Sequence, residues 1–439
     1  MVNVMGMEWA WWKQEQWIKT YVATPEEIDI DKYVITTYYV EPSPEVSLME
    51  AGMHIAAEGS IGTWTAVKTA KPLHLAGKVF KMEKKNGENG FVHIAYPIDL
   101  FDWESGFSHI LSIIAGNVFG LSILKNVRFI DFNLPKEVIN FFPGPKFGID
   151  GIRAIIGTTK DKRPHLGTII KPKVGQNPRE TAQVAYEAAI GGVDFIKDDE
   201  TLTNQNFCPL EDRITNVMEA LDKVYEETGR KVLYALNITA DYDKIFKYAD
   251  LALAHGANCI MIDFLCTGLP ALKALAEDPS IKVPIHIHRC MHASMTRNRQ
   301  HGIHMLVLAK LVRLAGGDQL HAGTAAGKME KPGKIEELMT VYNSLRSDWY
   351  NLKSTMPVAS GGVHPALVPF NIKTLGTDIV INAGGGIHGH PMGTRAGAKA
   401  MKQAIEAAMK DIPLEIYAKD RLELREALSY WGKYFLPGE

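Results

Sequence analysis

The run GGVDFIKDDE, residues 191–200, sets one lysine, Lys197, beside three carboxylates, Asp198, Asp199 and Glu200. Val193, Phe195 and the aliphatic stem of Lys197 share one face of a short apolar strand. The two-residue period of a strand puts Asp199 on that face as well. Ending a buried strand in four ionisable groups carries a large desolvation cost. Two arrangements offset it: a dry network of ion pairs, or a hard cation such as Mg²⁺ held by the carboxylates. An ammonium group cannot ligate a cation. Lys197 therefore belongs to a metal site only as a neutral amine or after conversion to an anion.

Polar residues collect at the ends of other apolar runs too. Lys171 and Lys173 follow HLGTII, and PIHIHRC carries His286, His288 and Arg289. His321 ends DQLH with Lys328 in the loop beyond; Ser360, Gly361 and Gly362 end one later run, and Gly384, Gly385 and Gly386 end another. Each alone has a plain structural explanation, a hydrogen-bonded core histidine or a turn. Their joint placement at strand ends points to one functional site. Asp199 and Glu200 suit Mg²⁺, and the glycines offer bare backbone N–H groups to a phosphate. Arg289, His321 and Lys328 could hold a second anion. A metal between two anion sites suits a bisphosphorylated substrate, with Lys171 and His288 as acid/base groups for enolisation beside a metal-bound carbonyl. The rival is a zinc site drawn from His286, His288, His292, His301 and His304, whose spacing runs from a strand through a loop into a helix and so disfavours it. Cys290 reads as a small packing residue.

The elements that must position these residues alternate regularly. HLGTIIKP, VDFIKDDE, KVLYALNIT, CIMIDFL, PIHIHRC, DQLHAG, MPVASGG and DIVINAGG are strand candidates, with amphipathic segments such as RETAQVAYEAAIGG, DYDKIFKYADLALAHG and GIHMLVLAKLVRLAGG between them. Eight β-then-α units predict a TIM (β/α)8 barrel over residues 144–439, closed by C-terminal helices. A doubly wound sheet fits less well, since no GxGxxG follows the first strand. FFPGPKFGIDG marks the domain junction. Residues 1–143 read as an N-terminal α+β (ferredoxin-like) domain. Its strands are DKYVITTYYVEP, GTWTAV, KVFKMEKK, GFVHIAYP and NVRFIDFNLP, and a second helix spans FSHILSIIAGNVFG. The first helix is expected to start at Ser43 as N-cap, with Leu48, Ala51, Ile55 and Ala56 as its apolar stripe. Trp9, Trp11, Trp12 and Trp17 read as aromatic anchors of the N-terminal segment.

The bulk properties agree with a soluble two-domain enzyme: 439 residues, 46% hydrophobic and 22% charged. A net charge of −2 argues against nucleic acid or an anionic membrane as partner. Four cysteines without a CxxC pair point to a reducing compartment and to no thiolate metal site. No run reads as a signal peptide or a membrane span, so a cytoplasmic location is expected.

GTIIKPKVG, GGVDFIKDDE, HIHRCMHASMTRNRQHGIH, DQLHAGTAAGKME, PVASGG and NAGGGIHGHPMG resemble the successive active-site motifs of the large subunit of ribulose-1,5-bisphosphate carboxylase/oxygenase (RuBisCO). AAEGSIGTWT and GNVFG resemble two segments of that family's N-terminal domain. The resemblance implies a lyase that enolises ribulose 1,5-bisphosphate with one Mg²⁺ per site, adds CO2 (or O2 in a side reaction), and cleaves the product to two 3-phosphoglycerates. It implies that Lys197, carbamylated by an activator CO2, joins Asp199 and Glu200 as a metal ligand. Lys171 would move the C3 proton or return a proton at the end, assisted by Lys173 and His288, while Lys328 would stabilise the carboxylation transition state. Arg289, His321 and Ser360 would grip one phosphate. Gly361, Gly362, Asn382, Ala383, Gly384, Gly385, Thr63 and Trp64 would surround the other, with Asn117 near the metal. Glu58, Thr63, Trp64 and Asn117 would come from a neighbouring subunit, making a head-to-tail homodimer the minimal unit, open to assembly into larger groups of dimers. Ile169, Ala325, Ala326, Lys331 and the pair Asn382–Ala383 depart from the common family pattern, which bears on loop closure and CO2/O2 discrimination. The short segment from Lys328 to Ser360 and the short C-terminus look more like archaeal-type (form III) members that lack a small subunit. The alternative within the superfamily is an enolase or isomerase acting on another sugar phosphate.

Overall fold

The computed structural model describes residues 11–62, 72–328 and 335–432. The expected strand GTWTAV, with Thr63 and Trp64, lies outside the described residues, as do Trp9, Lys331 and the side chains of Trp11 and Trp12. The chain divides into two compact units: residues up to Phe142 together with His292–Leu308, and Pro143–Met291 together with Ala309 onward. No helix of the described residues is long and apolar enough to cross a membrane.

In the first unit, strand Tyr33–Pro42 alternates half-buried and buried residues, as a strand covered on one face must. It lies at the centre of a five-stranded sheet, antiparallel to Asn89–Pro97 and to Leu124–Asn133. Lys78–Asn86 pairs outside Asn89–Pro97. Helices Leu48–Glu58 and Phe107–Ile114 complete the βαββαβ order of a ferredoxin-like domain. Two details differ from expectation. The first helix is capped by Ser47, whose side chain accepts from Glu50 N; Ser43 instead binds Ile123, and Glu45 has φ +70°, which no helix tolerates. The second helix stops at Ile114, and Asn117–Gly120 forms a separate 3₁₀ turn after Gly116.

The fifth strand of this sheet, Gly302–Ile303, comes from far along the chain and pairs parallel with Arg128–Phe129. Arg128, almost fully buried, donates to the carbonyls of Thr296 and Arg299 and ties the segment down. Residues 292–308, expected inside the barrel domain, therefore belong to the first unit by contact.

The second unit is a closed barrel of eight parallel strands: His165–Ile169, Phe195–Lys197, Leu233–Asn237, Cys259–Asp263, Ile285–His288, Gln319–His321, Met356–Ser360 and Val380–Asn382. The eighth pairs back to the first. All eight coincide with the sequence-derived runs. Ile149 and Ile152 of helix Gly148–Ile156 pack against Phe195, Leu233, Cys259, Met356 and Val380, closing the end where the strands start. The opposite end is left for polar side chains. Helix Pro178–Gly191 illustrates how the crossovers are set. Asn177 and Glu180 form a capping box around Pro178, and Gly192 ends the helix with φ +115°, which only glycine adopts easily. The chain thereby turns directly into the strand that ends at Lys197.

Candidate active site

Lys197 is the last residue of the second barrel strand and is completely buried. Burial drives its pKa below the ordinary lysine value, against the opposing pull of Glu200 and Asp199. Its Nζ lies 2.5 Å from Asp198 O and 4.0 Å from Glu200 Oε2. A lysine held toward its neutral form beside two hard carboxylates is an amine ready to react with an electrophile.

The three carboxylates separate by role. Asp198 points away, accepting from Arg213 Nε at 3.2 Å, Tyr234 OH at 2.5 Å and Asn237 N at 2.9 Å. It is a buried structural anion. Asp199 accepts from Lys171 Nζ at 2.8 Å and Thr201 Oγ1 at 3.0 Å. Burial raises its pKa, but the Lys171 ion pair together with the Thr201 hydrogen bond and the Lys197 charge leaves it below the usual value. Glu200 lies 3.4 Å from Lys173 and 3.7 Å from His288 Nε2. Glu200 is likewise left below the usual carboxyl value, although burial raises it. Lys171 and Lys173 thus set positive charge against two ionised carboxylates, hard donors that a divalent cation could engage in their place. The donor set fits Mg²⁺.

His288 is oriented from behind by Asp263, whose Oδ1 lies 3.0 Å from Nδ1. The Cys290 N–H also points at Nδ1, at 3.2 Å, and competes with Asp263 for that nitrogen. The carboxylate contact is the shorter and charge-assisted, so Nδ1 carries the proton and Nε2 the lone pair. Burial lowers the pKa of His288, keeping the ring neutral. Asp263 escaped the sequence reading, although it ends the fourth strand (CIMID) as Lys197 ends the second. Asn237 escaped it too; its side chain donates to the carbonyls of Asp199 and Glu200 and fixes the turn that carries both carboxylates.

Across the barrel, Gln319, His286, His321 and Ser360 form a hydrogen-bonded row at 2.9, 3.0 and 2.7 Å. Burial holds His286 and His321 well below the usual histidine pKa, so both are neutral. In a second anion site His321 would therefore act by hydrogen bonding, with the charge left to Arg289 and Lys328. Arg289 lies beside Gly323, where an added Cβ would come within 3.4 Å of Nη2. Lys328 is exposed, and its N–H donates to Gly361 O at 2.9 Å. At the eighth strand, a Cβ on Gly384 would sit 3.1 Å from Lys171 Cε, whereas one on Gly385 would meet nothing within 4 Å. The Ala383 N–H donates to Gly167 O and its carbonyl accepts from Thr168 Oγ1. Asn382 is buried inside the barrel with no partner for either side-chain polar atom. In the first unit, Asn117 Nδ2 donates to Glu58 Oε1 at 3.0 Å, so the two residues implied to serve a neighbour's site stand together.

The histidine-rich run does not assemble a zinc site. His292 binds Thr296, His301 lies at Val127 N and His304 caps Leu306 N, all within the first unit, while His286 and His288 are committed inside the barrel. Cys266 and Cys290 meet with Sγ atoms 3.4 Å apart, and with Asp263 they offer three donors within 4.8 Å of one another. Pairing of the fourth and fifth strands, with Asp263 opposite His288, brings together thiols that no CxxC spacing announces.

Residues 148–431 match the catalytic-domain model of the ribulose bisphosphate carboxylase large chain, and residues 21–138 match the N-terminal-domain model. The chain belongs to the RuBisCO large-chain family. It is 46% identical over 405 residues to the ribulose bisphosphate carboxylase of Methanocaldococcus jannaschii, covering 88% of this chain and 94% of that one. It is 44% identical over 402 residues to that of Pyrococcus furiosus, covering 91% and 94%. Among solved structures it resembles the octameric Rubisco of Pyrococcus horikoshii, with TM-score 0.88 at 42% identity over 95% of this chain and 97% of that one. The dimeric archaeal Rubisco of Hyperthermus butylicus gives TM-score 0.86 at 37% identity, covering 95% and 99%. The archaeal side of the resemblance is thereby borne out.

Proposed function

We propose that this RuBisCO-family chain is a ribulose-bisphosphate carboxylase, converting ribulose 1,5-bisphosphate, CO2 and water to two 3-phosphoglycerates. The observation that carries the reading is the meeting of Lys171, Lys197, Asp199, Glu200 and His288 at one end of the barrel. Mg²⁺ would be held by Asp199, Glu200 and Lys197 as its carbamate, and when bound it would polarise the substrate carbonyl and acidify the adjacent C–H. Lys197 contributes its neutral amine, which attacks the activator CO2 and loses a proton to become an anionic carbamate; its burial favours that amine. Asp263 holds His288 with Nε2 unprotonated, ready to take a proton in the enolisation. Lys171, ion-paired to Asp199, is set to give a proton to the carbanion left by carbon–carbon cleavage, and Lys173 holds the turn's charge beside it. Arg289, His321 and Ser360 would bind one phosphate, and the backbone at Gly361, Gly362, Gly384 and Gly385 the other. Lys328 would reach over the added CO2 from its loop, with Glu58 and Asn117 of a second copy completing the site in a homodimer.

The retention of Lys328, Arg289, His321 and Ser360 favours carboxylation over a bare enolase or isomerase, which needs no group to receive CO2. Oxygenation would follow wherever O2 reaches the same enediolate. Purified protein incubated with ribulose bisphosphate, Mg²⁺ and labelled bicarbonate should form labelled phosphoglycerate; consumption of the substrate without label would move the assignment to the isomerase reading. Lys197→Ala should keep the fold, lose CO2-dependent activation, and fall in kcat by about 10³-fold or more.

A further inference from the structure

We propose that Cys266 and Cys290 are a redox modification site, a dithiol that closes to a disulfide and turns down the acid/base group beside it. The helical turn Phe264–Thr267 places Cys266 three residues beyond Asp263, and Cys290 stands two beyond His288. Asp263 and His288 are register partners on adjacent strands, so the two thiols meet, Sγ to Sγ, at 3.4 Å. Cys208 and Cys259 are fully buried, whereas Cys266 is exposed and Cys290 half-buried. Of the four thiols, this pair lies within mutual reach and presents one exposed member, Cys266, to a reagent.

The step balances with a peroxide as oxidant. The Cys266 thiolate attacks one peroxide oxygen, the O–O bond breaks, and a sulfenic acid forms as one water leaves. The Cys290 sulfur then attacks the Cys266 sulfur; the S–O bond breaks, the S–S bond forms, and hydroxide departs with the Cys290 proton as the second water. Two thiols lose two electrons and the peroxide gains them. A small dithiol reverses the reaction by exchange. Cys266 is the sulfur struck first: Cys290 is shielded, and burial followed by the Asp263 charge pushes its thiol well above the usual range. A soft cation would need both thiolates at once and the Asp263 carboxylate that already serves His288, whereas the disulfide needs one thiolate at a time.

Closure reaches the chemistry through a short link. The sulfurs must approach from 3.4 Å to about 2.05 Å, a movement of roughly 1.4 Å. Cys290 N lies 3.2 Å from His288 Nδ1, and Arg289 stands between the two residues in the chain. Drawing Cys290 toward the helical turn therefore misplaces His288 against Asp263 and Arg289 against its anion.

The test uses the full chain, treated with hydrogen peroxide and then mapped by mass spectrometry without reduction. A Cys266–Cys290 linked peptide is expected, with carboxylase activity down by about 10- to 100-fold and restored by dithiothreitol. Cys266→Ser and, separately, Cys290→Ser should match the reduced wild type and resist peroxide. The proposal is overturned by the absence of the linked peptide, by a linked chain that keeps full activity, or by equal loss in the serine variants. Inhibition by Zn²⁺ alone with no linked peptide would assign the cluster to metal binding and overturn it too. The activity arm rests on the carboxylase reading, but the peptide map does not. A missing link defeats this inference alone, and missing labelled phosphoglycerate defeats the carboxylase reading alone.

Discussion

Asp263 is none of the proposed metal ligands, yet it fixes which nitrogen of His288 would act as the base. Replacing it by Asn removes the charge and lets the amide present either a donor or an acceptor to Nδ1, so the ring loses its single tautomer. Asp263→Asn should lower kcat by about 10- to 100-fold, with KM for the bisphosphate little changed and the pH profile of kcat displaced. Equal losses in KM and kcat would mean that the residue only supports the fold. Lys197 and Asp199 were legible as candidates because strand periodicity puts them on one face, and Glu200 and His288 because polar residues collect at the ends of apolar runs. Asp263 was not, because one carboxylate in CIMIDFL looks like a strand terminus until pairing sets it opposite His288. Ala383 neighbours the glycines in the chain, and that its N–H is engaged within the barrel is set by strand pairing, which no local pattern announces.

At the scale of elements, the strand end 197–200 divides its charges between fold and function. Asp198 is the counter-charge of Arg213, and both are fully buried. Asp198→Ala should destabilise the barrel by about 3–5 kcal/mol, since it strands a buried guanidinium, and denaturant unfolding would read this directly. Asp199→Ala removes a buried carboxylate whose partners Lys171 and Lys173 reach solvent, so it should destabilise the barrel less than Asp198→Ala while abolishing turnover. Equal destabilisation by the two would erase the distinction. His165 opens the first barrel strand, its Nε2 2.6 Å from Thr158 Oγ1 and its Nδ1 without a partner. Burial pushes its pKa down to about 4 from 6.5. The folded chain thus refuses a proton that the unfolded chain accepts below pH 6.5. The stability it contributes is full above that pH and declines as pH falls toward 4, by roughly 3 kcal/mol in all. His165→Gln should flatten that slope in melting temperatures taken between about pH 7 and 5. A slope unchanged from wild type would assign acid lability to other groups. All eight barrel strands were legible because buried parallel strands are compact apolar runs bounded by turn residues. Gly302–Ile303 was not: two residues carry no period, and its partner, Leu124–Asn133, lies far back in the chain.

At the scale of the whole molecule, the two-unit division is legible as a change of pattern, from mixed strands and helices to strict alternation at FFPGPKFGIDG. The return of 292–308 to the first unit is not legible, because its anchor is a buried arginine, Arg128, whose partners are backbone carbonyls. The proposed site needs Lys197 from the barrel unit and Glu58 with Asn117 from the first, and the family resemblance assigns these to different copies of the chain. That assignment makes a quantitative prediction. Glu58→Ala and Lys197→Ala should each be inactive alone. When they are co-expressed and pair at random, half of the dimers are mixed, and each mixed dimer has one intact site and one carrying both lesions. Activity should therefore return to about a quarter of wild type. A site built from a single chain gives a different outcome, since no mixture of the two variants then contains an intact copy. Labelled phosphoglycerate formed by the mixture but by neither variant alone supports the shared site, whereas a mixture as inactive as its components rejects it.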